Sequence, residues 1–224
     1  MDNFHYNAAF MRNKSLHAGI PMWNYIWLEA NGRGHGVGFY RWQLFVSAAY
    51  GSRGIMQWSL SPCANTHACG PKDRWAPFPC LLDKHGQPFK PVFNMARAEH
   101  HRMLAMGPRL IQMKSLDVQR LKPAHGAPPI VRFNSSSPLR SISMGAWLLG
   151  HFQSPHGDCV MVVNDDPIET KFPSIDLGSA AAVREVDQET GALVSVEDEA
   201  PDVAGFQLYF LEGGGRLFCW GSSV

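Results

Sequence analysis

Two short runs, Ile20–Trp27 and Ile55–Leu60, are mostly apolar, with apolar residues on both faces rather than at every second position. A strand of that kind needs cover on both faces, which is the situation in a parallel sheet layered with helices. The segment between them supports this. Arg41–Tyr50 carries Leu44, Phe45, Ala48 and Ala49 at helical spacing and stops at Gly51. Tyr6–Ala18 holds Tyr6, Ala9, Phe10 and Leu16 at roughly helical spacing, with Gly19 placed for a left-handed C-terminal cap. Pro91 opens a further helix carrying Val92, Met95, Ala96 and Met103, which the sequence ends at Gly107-Pro108. The order is α-β-α-β-α, and the two strands are expected side by side, parallel, with a right-handed crossover through Arg41–Tyr50. Two strands alone make neither a barrel nor a comfortable open sheet.

Near residue 114 the pattern changes to short strands separated by turn residues. Candidates are Ser115–Leu121, Pro129–Phe133, Trp147–Gln153, Cys159–Asn164, Ala182–Val186, Leu193–Val196, Phe206–Leu211 and Arg216–Trp220. Turns such as Ser154–Asp158, Asp187–Gly191 and Glu212–Gly215 lie between them. Roughly eight strands at this spacing predict an antiparallel β-sandwich. Its expected core contains Val160, Val162, Phe206, Leu208, Phe210 and Leu217. The expected division is therefore 1–113 and 114–224, an α/β segment followed by an all-β one.

Composition narrows the function classes. With 45% hydrophobic and 17% charged residues the 224-residue chain reads as folded. A formal net charge of +1 without basic runs or acidic tails argues against nucleic acid or a membrane surface as partner. Apolar stretches reach only about eight residues, short of the ~20 that span a bilayer. Met1–His5 shows no basic segment leading into an apolar one, so no signal peptide is expected here. Localisation stays open between the cytoplasm and a leader lying upstream.

The five cysteines cannot all pair with one another. Cys159 and Cys219 lie in strand-like runs, whereas Cys63, Cys69 and Cys80 share one loop. Cys63, His67 and Cys69, with Cys80 as a fourth, are weak candidates for a zinc site, though the spacing matches no common finger. A local disulfide or free thiols fit the same residues. Gly32–Gly38 lacks the phosphate-loop and dinucleotide spacings and reads as a flexible loop. His100-His101 reads as a solvated helix face, and the absence of a Gly-x-Ser-x-Gly elbow argues against a common serine esterase. No cofactor is expected.

The segments NAAFMRNKSLHAGIPMWNYIW, RWQLFVSAAYGSRGIMQWSLSP, LLDKHGQP and FNMARAEHHRMLAMGPRL, in that order, resemble the end of a catalytic barrel. The barrel is that of bacterial β-galactosidase-like glycoside hydrolases of the large retaining clan. DCVMVVNDDP, VREVDQETG and GGGRLFCW resemble the all-β accessory domain that follows such barrels. The resemblance runs from about Tyr6 to Trp220. It implies that Ile20–Trp27 and Ile55–Leu60 are the seventh and eighth strands of a (β/α)8 barrel whose earlier strands lie upstream of Met1. It implies too that the acid/base glutamate lies outside this chain, and that the nucleophile falls near the end of the seventh strand, where Glu29 is the acidic candidate.

A retaining glycosidase needs two carboxyl groups about 5–5.5 Å apart. Glu29 and Asp73 are the pair on C-terminal-side loops, the face that carries barrel active sites, with Asp73 read chiefly as a surface ion partner of Lys72 and Arg74. Trp23, Tyr25 and Trp27 alternate with Met22, Asn24 and Ile26, which makes one face of the strand wholly aromatic. Sugar C–H faces stack on aromatic rings while polar neighbours bond the hydroxyls, so Trp27, Trp58, Gln57 and Asn24 are the substrate-binding candidates, whereas Trp23 and Tyr25 are expected to fill the core between sheet and helices. Three readings follow. The chain is the C-terminal part of a glycoside hydrolase, a carbohydrate-binding or interaction module without hydrolysis, or a small independent hydrolase using Glu29. Self-association through an unpaired barrel edge is expected if the remaining strands are absent.

Overall fold

A computed structural model describes residues 2–27, 36–58, 81–82, 85–88, 90–122, 139–143, 145–155, 157–178, 183–203 and 205–221, with the side chains of Trp58 and Pro91 excepted. The elements run α1 (Asp2–Ala18), β1 (Trp23–Trp27), α2 (Val37–Ala49), β2 (Gly54–Trp58) and α3 (Lys90–Leu110). From Lys114 onward the described elements are strands: β3 (Lys114–Leu121), β4 (Ser141–Ile142), β5 (Trp147–Ser154), β6 (Gly157–Asn164), β7 (Ser174–Asp176), β8 (Val183–Val186), β9 (Leu193–Ser195), β10 (Phe206–Gln207) and β11 (Gly215–Trp220). The expected strand Pro129–Phe133 lies outside the described residues.

β1 and β2 pair in parallel, with Trp23 opposite Gly54 and Trp27 opposite Trp58. The later strands pair antiparallel in two sheets, a six-stranded one in the order β3-β5-β6-β11-β8-β9 and a three-stranded one in the order β10-β7-β4. β4 and β7, at two and three residues, are too short to carry an alternation pattern and so have no signature in the sequence.

Helix α2 is the centre of the molecule. Every residue from Tyr40 to Tyr50 is buried, the condition of a helix with protein on all sides. Tyr40 and Leu44 join Ile26 and Ala96 in a cluster against the parallel pair and α3. Trp42, Phe45, Val46 and Ala49 point the other way, into a cluster with Leu148, Phe152, Met161, Val163 and Leu217 of the six-stranded sheet. Two glycines make this approach possible. A Cβ on Gly150 would stand 2.2 Å from the Ala49 carbonyl oxygen, and one on Gly215 would stand 2.5 Å from the Phe45 ring.

Alternation along β6 then fills the second core. Cys159, Met161 and Val163 meet the helices, while Val160 and Val162 pack with Trp147, Ile175, Leu208, Phe210 and Phe218 between the two sheets. Leu217 belongs to the helix-facing cluster and Phe206 to neither, so the expected sandwich core is corrected at both positions. Cys159 and Cys219, directly opposite on β6 and β11, form a disulfide.

Two helix readings also change. α1 buries His5 and Ala8, and Phe4 and Ala9 pack beside them, whereas Tyr6, Phe10 and Leu16 are exposed. Of the apolar residues that the spacing picks out, Ala9 alone packs inward, and the helix turns His5 to Asp165 instead of Tyr6, Phe10 or Leu16 to the core. α3 continues through Gly107-Pro108 to Leu110. Pro108 sits in the last turn, and Met106, Leu110 and Met113 on either side of it are held in the core. Among the described residues no helix is long and apolar enough to cross a membrane.

Candidate functional site

The alternation of β1 sends Ile26 and Asn24 toward the helices and leaves Trp23, Tyr25 and Trp27 on the opposite face. These three aromatics are 53%, 54% and 48% exposed, so Trp23 and Tyr25 do not fill the core expected of them; the strand's alternation turns Asn24 and Ile26 to the helices instead. Residues two apart on a strand are separated by about 6.6 Å, so the rings form a row along β1. β2 follows the same phase: Ile55 packs toward the helices and Gln57 bonds there, which puts Gly54 and Met56 on the aromatic side. A Cβ on Gly54 would stand 2.5 Å from the Trp23 ring, so that ring lies across β2 at Gly54. The open face is thus built from aromatic rings over a backbone left bare by glycine.

The helix side of the pair fixes this face from behind. Gln43 on α2 accepts from the Trp27 N–H at 2.9 Å and donates to the Trp27 carbonyl at 2.8 Å, taking both backbone groups of the residue at the end of the row. Asn24 Nδ2 donates to Ser47 Oγ at 2.8 Å. Tyr40 Oη donates to Gln57 Oε1 at 2.5 Å, and His100 Nε2 lies 2.7 Å from the same hydroxyl. Since the tyrosine proton is directed to Gln57, the imidazole is the donor in that second bond. Burial pushes the Tyr40 hydroxyl well above its ordinary range, and the charge of Glu99 adds to this. Burial pushes His100 down, against the opposing pull of Glu99. His100 is therefore a half-buried partner of Tyr40, not part of a solvated face, while His101 is exposed.

The substrate-binding candidates divide accordingly. Trp27 stands on the open face, whereas Asn24 and Gln57 point away from it into hydrogen bonds with the helix layer. The Trp58 backbone pairs with Trp27, and its side chain lies outside the described residues. Glu29, Asp73, Cys63, His67, Cys69 and Cys80 also lie outside them. Before Lys114 the described acidic residues are Asp2 and Glu99, and both are engaged in ion pairs, with Arg120 and Arg41 respectively. Among the described residues the aromatic face therefore carries no carboxyl group.

Two buried polar networks were missed by sequence reasoning. Glu99 occupies the apolar stripe Val92-Ala96-Glu99-Met103 of α3, where a carboxylate demands a cation. Arg41 supplies it at 2.9 Å, with Arg102 at 3.0 Å, and Arg41 also reaches Glu212 at 3.1 Å. The stripe position was readable in the sequence, but its partners were not. In the second network Asp165, at the end of β6, accepts from His5, Trp42 and Arg120. Burial alone would raise its carboxyl, but those hydrogen bonds and the His5 charge outweigh it and hold Asp165 below the ordinary range.

A cleft of 790 Å3 opens between α2, α3 and the edge of the six-stranded sheet. Two of its carboxylates are held by one arginine: Arg216 binds Glu185 at 2.6 Å and Glu199 at 2.8 Å. Burial works against the Arg216 charge, yet these two partners more than offset it and raise its proton affinity. This arrangement ties β8 to β11 rather than offering a free acid and base. No group of metal-ligating side chains occurs among the described residues. No protein-family model matches the chain, and no curated protein matches it either.

Proposed function

We propose that this chain works as the C-terminal part of a glycoside hydrolase. In this reading β1 and β2 are the seventh and eighth strands of a (β/α)8 barrel, and the antiparallel sheets are its accessory domain. The observation that carries the reading is the row Trp23, Tyr25 and Trp27, exposed on the face of the parallel pair that lies opposite its helices. A closed barrel turns that face inward, and barrel enzymes work at the C-terminal strand ends, where Trp27 stands. Trp27 and Trp58 serve as the sugar platform, and Glu29 as the nucleophile. The acid/base carboxyl comes from outside residues 1–224, in keeping with the absence of carboxyl groups on the described aromatic face.

The same absence favours one second reading, a carbohydrate-binding module in which the aromatic row stacks sugars without cleaving them. A single experiment addresses both. The purified chain is titrated with galactose- and glucose-containing oligosaccharides by tryptophan fluorescence and assayed on aryl galactosides, glucosides and fucosides. The expected result is saturable binding, weakened about tenfold or more in Trp27→Ala, and no turnover. Turnover restored by adding a segment that brings a glutamate to the site favours the hydrolase, and binding that never leads to turnover favours the module. Absence of any saccharide binding overturns both readings. Robust turnover by the chain alone, lost in Glu29→Gln, replaces them with an independent hydrolase.

A further inference from the structure

At the far end of α1 from Asp2 lies a cavity of 530 Å3 whose charges are not matched internally. It is enclosed by the last turns of α1, the chain leading into β1, the turn after α2 and the first residues of β3. Its polar wall consists of Arg12, Arg53, Lys114, Ser15, Ser115 and Tyr50, and no acidic residue lines it. We propose that this cavity binds a small anionic molecule through a tetrahedral oxyanion, a phosphate or sulfate group. The proposal does not depend on the glycosidase reading.

Charge balance is the first argument. Four arginines elsewhere are matched by carboxylates, Arg41 and Arg102 by Glu99, Arg120 by Asp165 and Arg216 by Glu185, while Arg109 donates to the Gly191 carbonyl. Arg12, Arg53 and Lys114 have no ion pair with any described residue. The nearest carboxylate in effect is Asp117, which acts on Arg12 only through space. Three cations against one carboxylate leave a surplus of two positive charges (3 − 1 = 2), the complement of a phosphate or sulfate dianion.

Donor geometry is the second. Arg12 Nε donates to Ser115 Oγ at 2.8 Å, which orients the guanidinium and leaves its Nη groups unused. Arg53 donates to the Met113 carbonyl through Nη2, which anchors it at the cavity rim with its remaining N–H groups uncommitted. The Ser115 hydroxyl accepts from Arg12 and keeps its own proton to donate. Two guanidinium forks and a hydroxyl converging from different elements suit an acceptor with several oxygens better than a planar carboxylate. Arg12 is half-buried, and burial opposes its charge, the situation that an incoming anion relieves.

Shape is the third. Gly51, at φ +84°, brings the turn after α2 so close to β3 that a Cβ would stand 2.9 Å from that of Ser115. This close approach joins Arg53 to Arg12 and Lys114 across one space. A bare oxyanion occupies only a few times the ~30 Å3 of a water molecule. A cavity of 530 Å3 falls within the ~300–1,000 Å3 of small-molecule sites. The remainder, bounded by Ile20 and Met22, leaves room for an organic moiety carrying the oxyanion.

Isothermal titration of the full chain at fixed ionic strength tests the proposal, with inorganic phosphate, inorganic sulfate and glucose 6-phosphate as probes and glucose and chloride as controls. The expected result is saturable one-to-one binding of the oxyanions and none of the controls. Arg53→Gln is expected to weaken binding about tenfold. Lys114→Gln, an exposed side chain without structural contacts, is expected to weaken it about threefold while leaving the melting temperature unchanged. Arg184→Gln, a cation on β8, is expected to change nothing. Tighter binding of glucose 6-phosphate than of inorganic phosphate identifies an organic ester as the ligand, and equal binding identifies the free ion. Either no saturable binding at 10 mM, or binding that is indifferent to both Arg53→Gln and Lys114→Gln, overturns the proposal.

Discussion

The Trp42 indole Nε1 donates to Asp165 Oδ1 at 2.8 Å and so binds the central helix to the end of β6. His5 on α1 lies 2.8 Å from the same oxygen, and Arg120 on β3 lies 2.6 Å from the other. One carboxylate with a fully buried side chain therefore fastens α1, α2 and the edge strand β3 to the end of β6. A carboxylate can only accept, so His5 must carry its proton on Nε2, with Nδ1 left facing the Tyr50 hydroxyl at 3.3 Å.

Asp165→Ala is expected to destabilise the chain by about 3–5 kcal/mol, because it leaves the buried donors of His5 and Trp42 without their acceptor and removes one partner of the half-buried Arg120. Urea unfolding at neutral pH measures this. A loss below about 1 kcal/mol would show that the network contributes little.

The same group sets an acid limit. Asp165 is held below its ordinary value of 3.8 in the folded chain, so the unfolded chain takes up this proton first as pH falls. Its contribution is complete above the unfolded value and is lost as pH drops through the folded one. Unfolding free energies measured from pH 7 to pH 3 are expected to decline below about pH 4. Asp165→Asn, which cannot titrate, is expected to show a shallower decline.

Gly150→Ala is expected to cost about 1–3 kcal/mol or more, since the new methyl would meet backbone of α2 that cannot turn aside. Gly107→Ala is the contrasting case. It lies within α3 with nothing inside 4 Å of the added carbon, and a gain of about 0.5–1 kcal/mol is expected. Thermal denaturation of the two variants checks both signs.

The Cys159–Cys219 disulfide closes a loop with a sequence separation of 60. The chain-entropy estimate for a loop of that size is about 4 kcal/mol. Unfolding of the oxidised chain is expected to differ from that of a Cys159→Ala, Cys219→Ala chain by roughly that amount. Mass spectrometry of the native protein, with and without reduction, identifies the bond directly.

Exposed Trp23 and Tyr25 beside a two-stranded sheet are a template for association. Sedimentation over a concentration series is expected to show self-association that is weakened in Trp23→Ser, Tyr25→Ser. A monomer at every concentration would contradict this.

The sequence by itself determined the kind and the approximate place of most elements, though not their first residues: β1 begins at Trp23 and α2 at Val37. Apolar runs at Ile20–Trp27 and Ile55–Leu60, helical spacing at Arg41–Tyr50 and turn residues between the later strands are local patterns, and β1, α2, β2, β5, β6 and β11 follow them. The aromatic face of β1 was legible for the same reason, because strand alternation is a local property. Tertiary structure decided which face each pattern turns inward. Leu217 and Phe218 are equally apolar neighbours, yet one meets α2 and the other the small sheet. α1 turns His5 inward and Phe10 outward because Asp165, 160 positions along the chain, pairs with the histidine. Asn24 and Gln57 look like sugar ligands in the sequence, and the helix layer claims both through Ser47 and Tyr40. Spacing sets a residue's phase along its own element. Burial and hydrogen bonding are settled only by what packs against that element, and those partners lie far away in the chain.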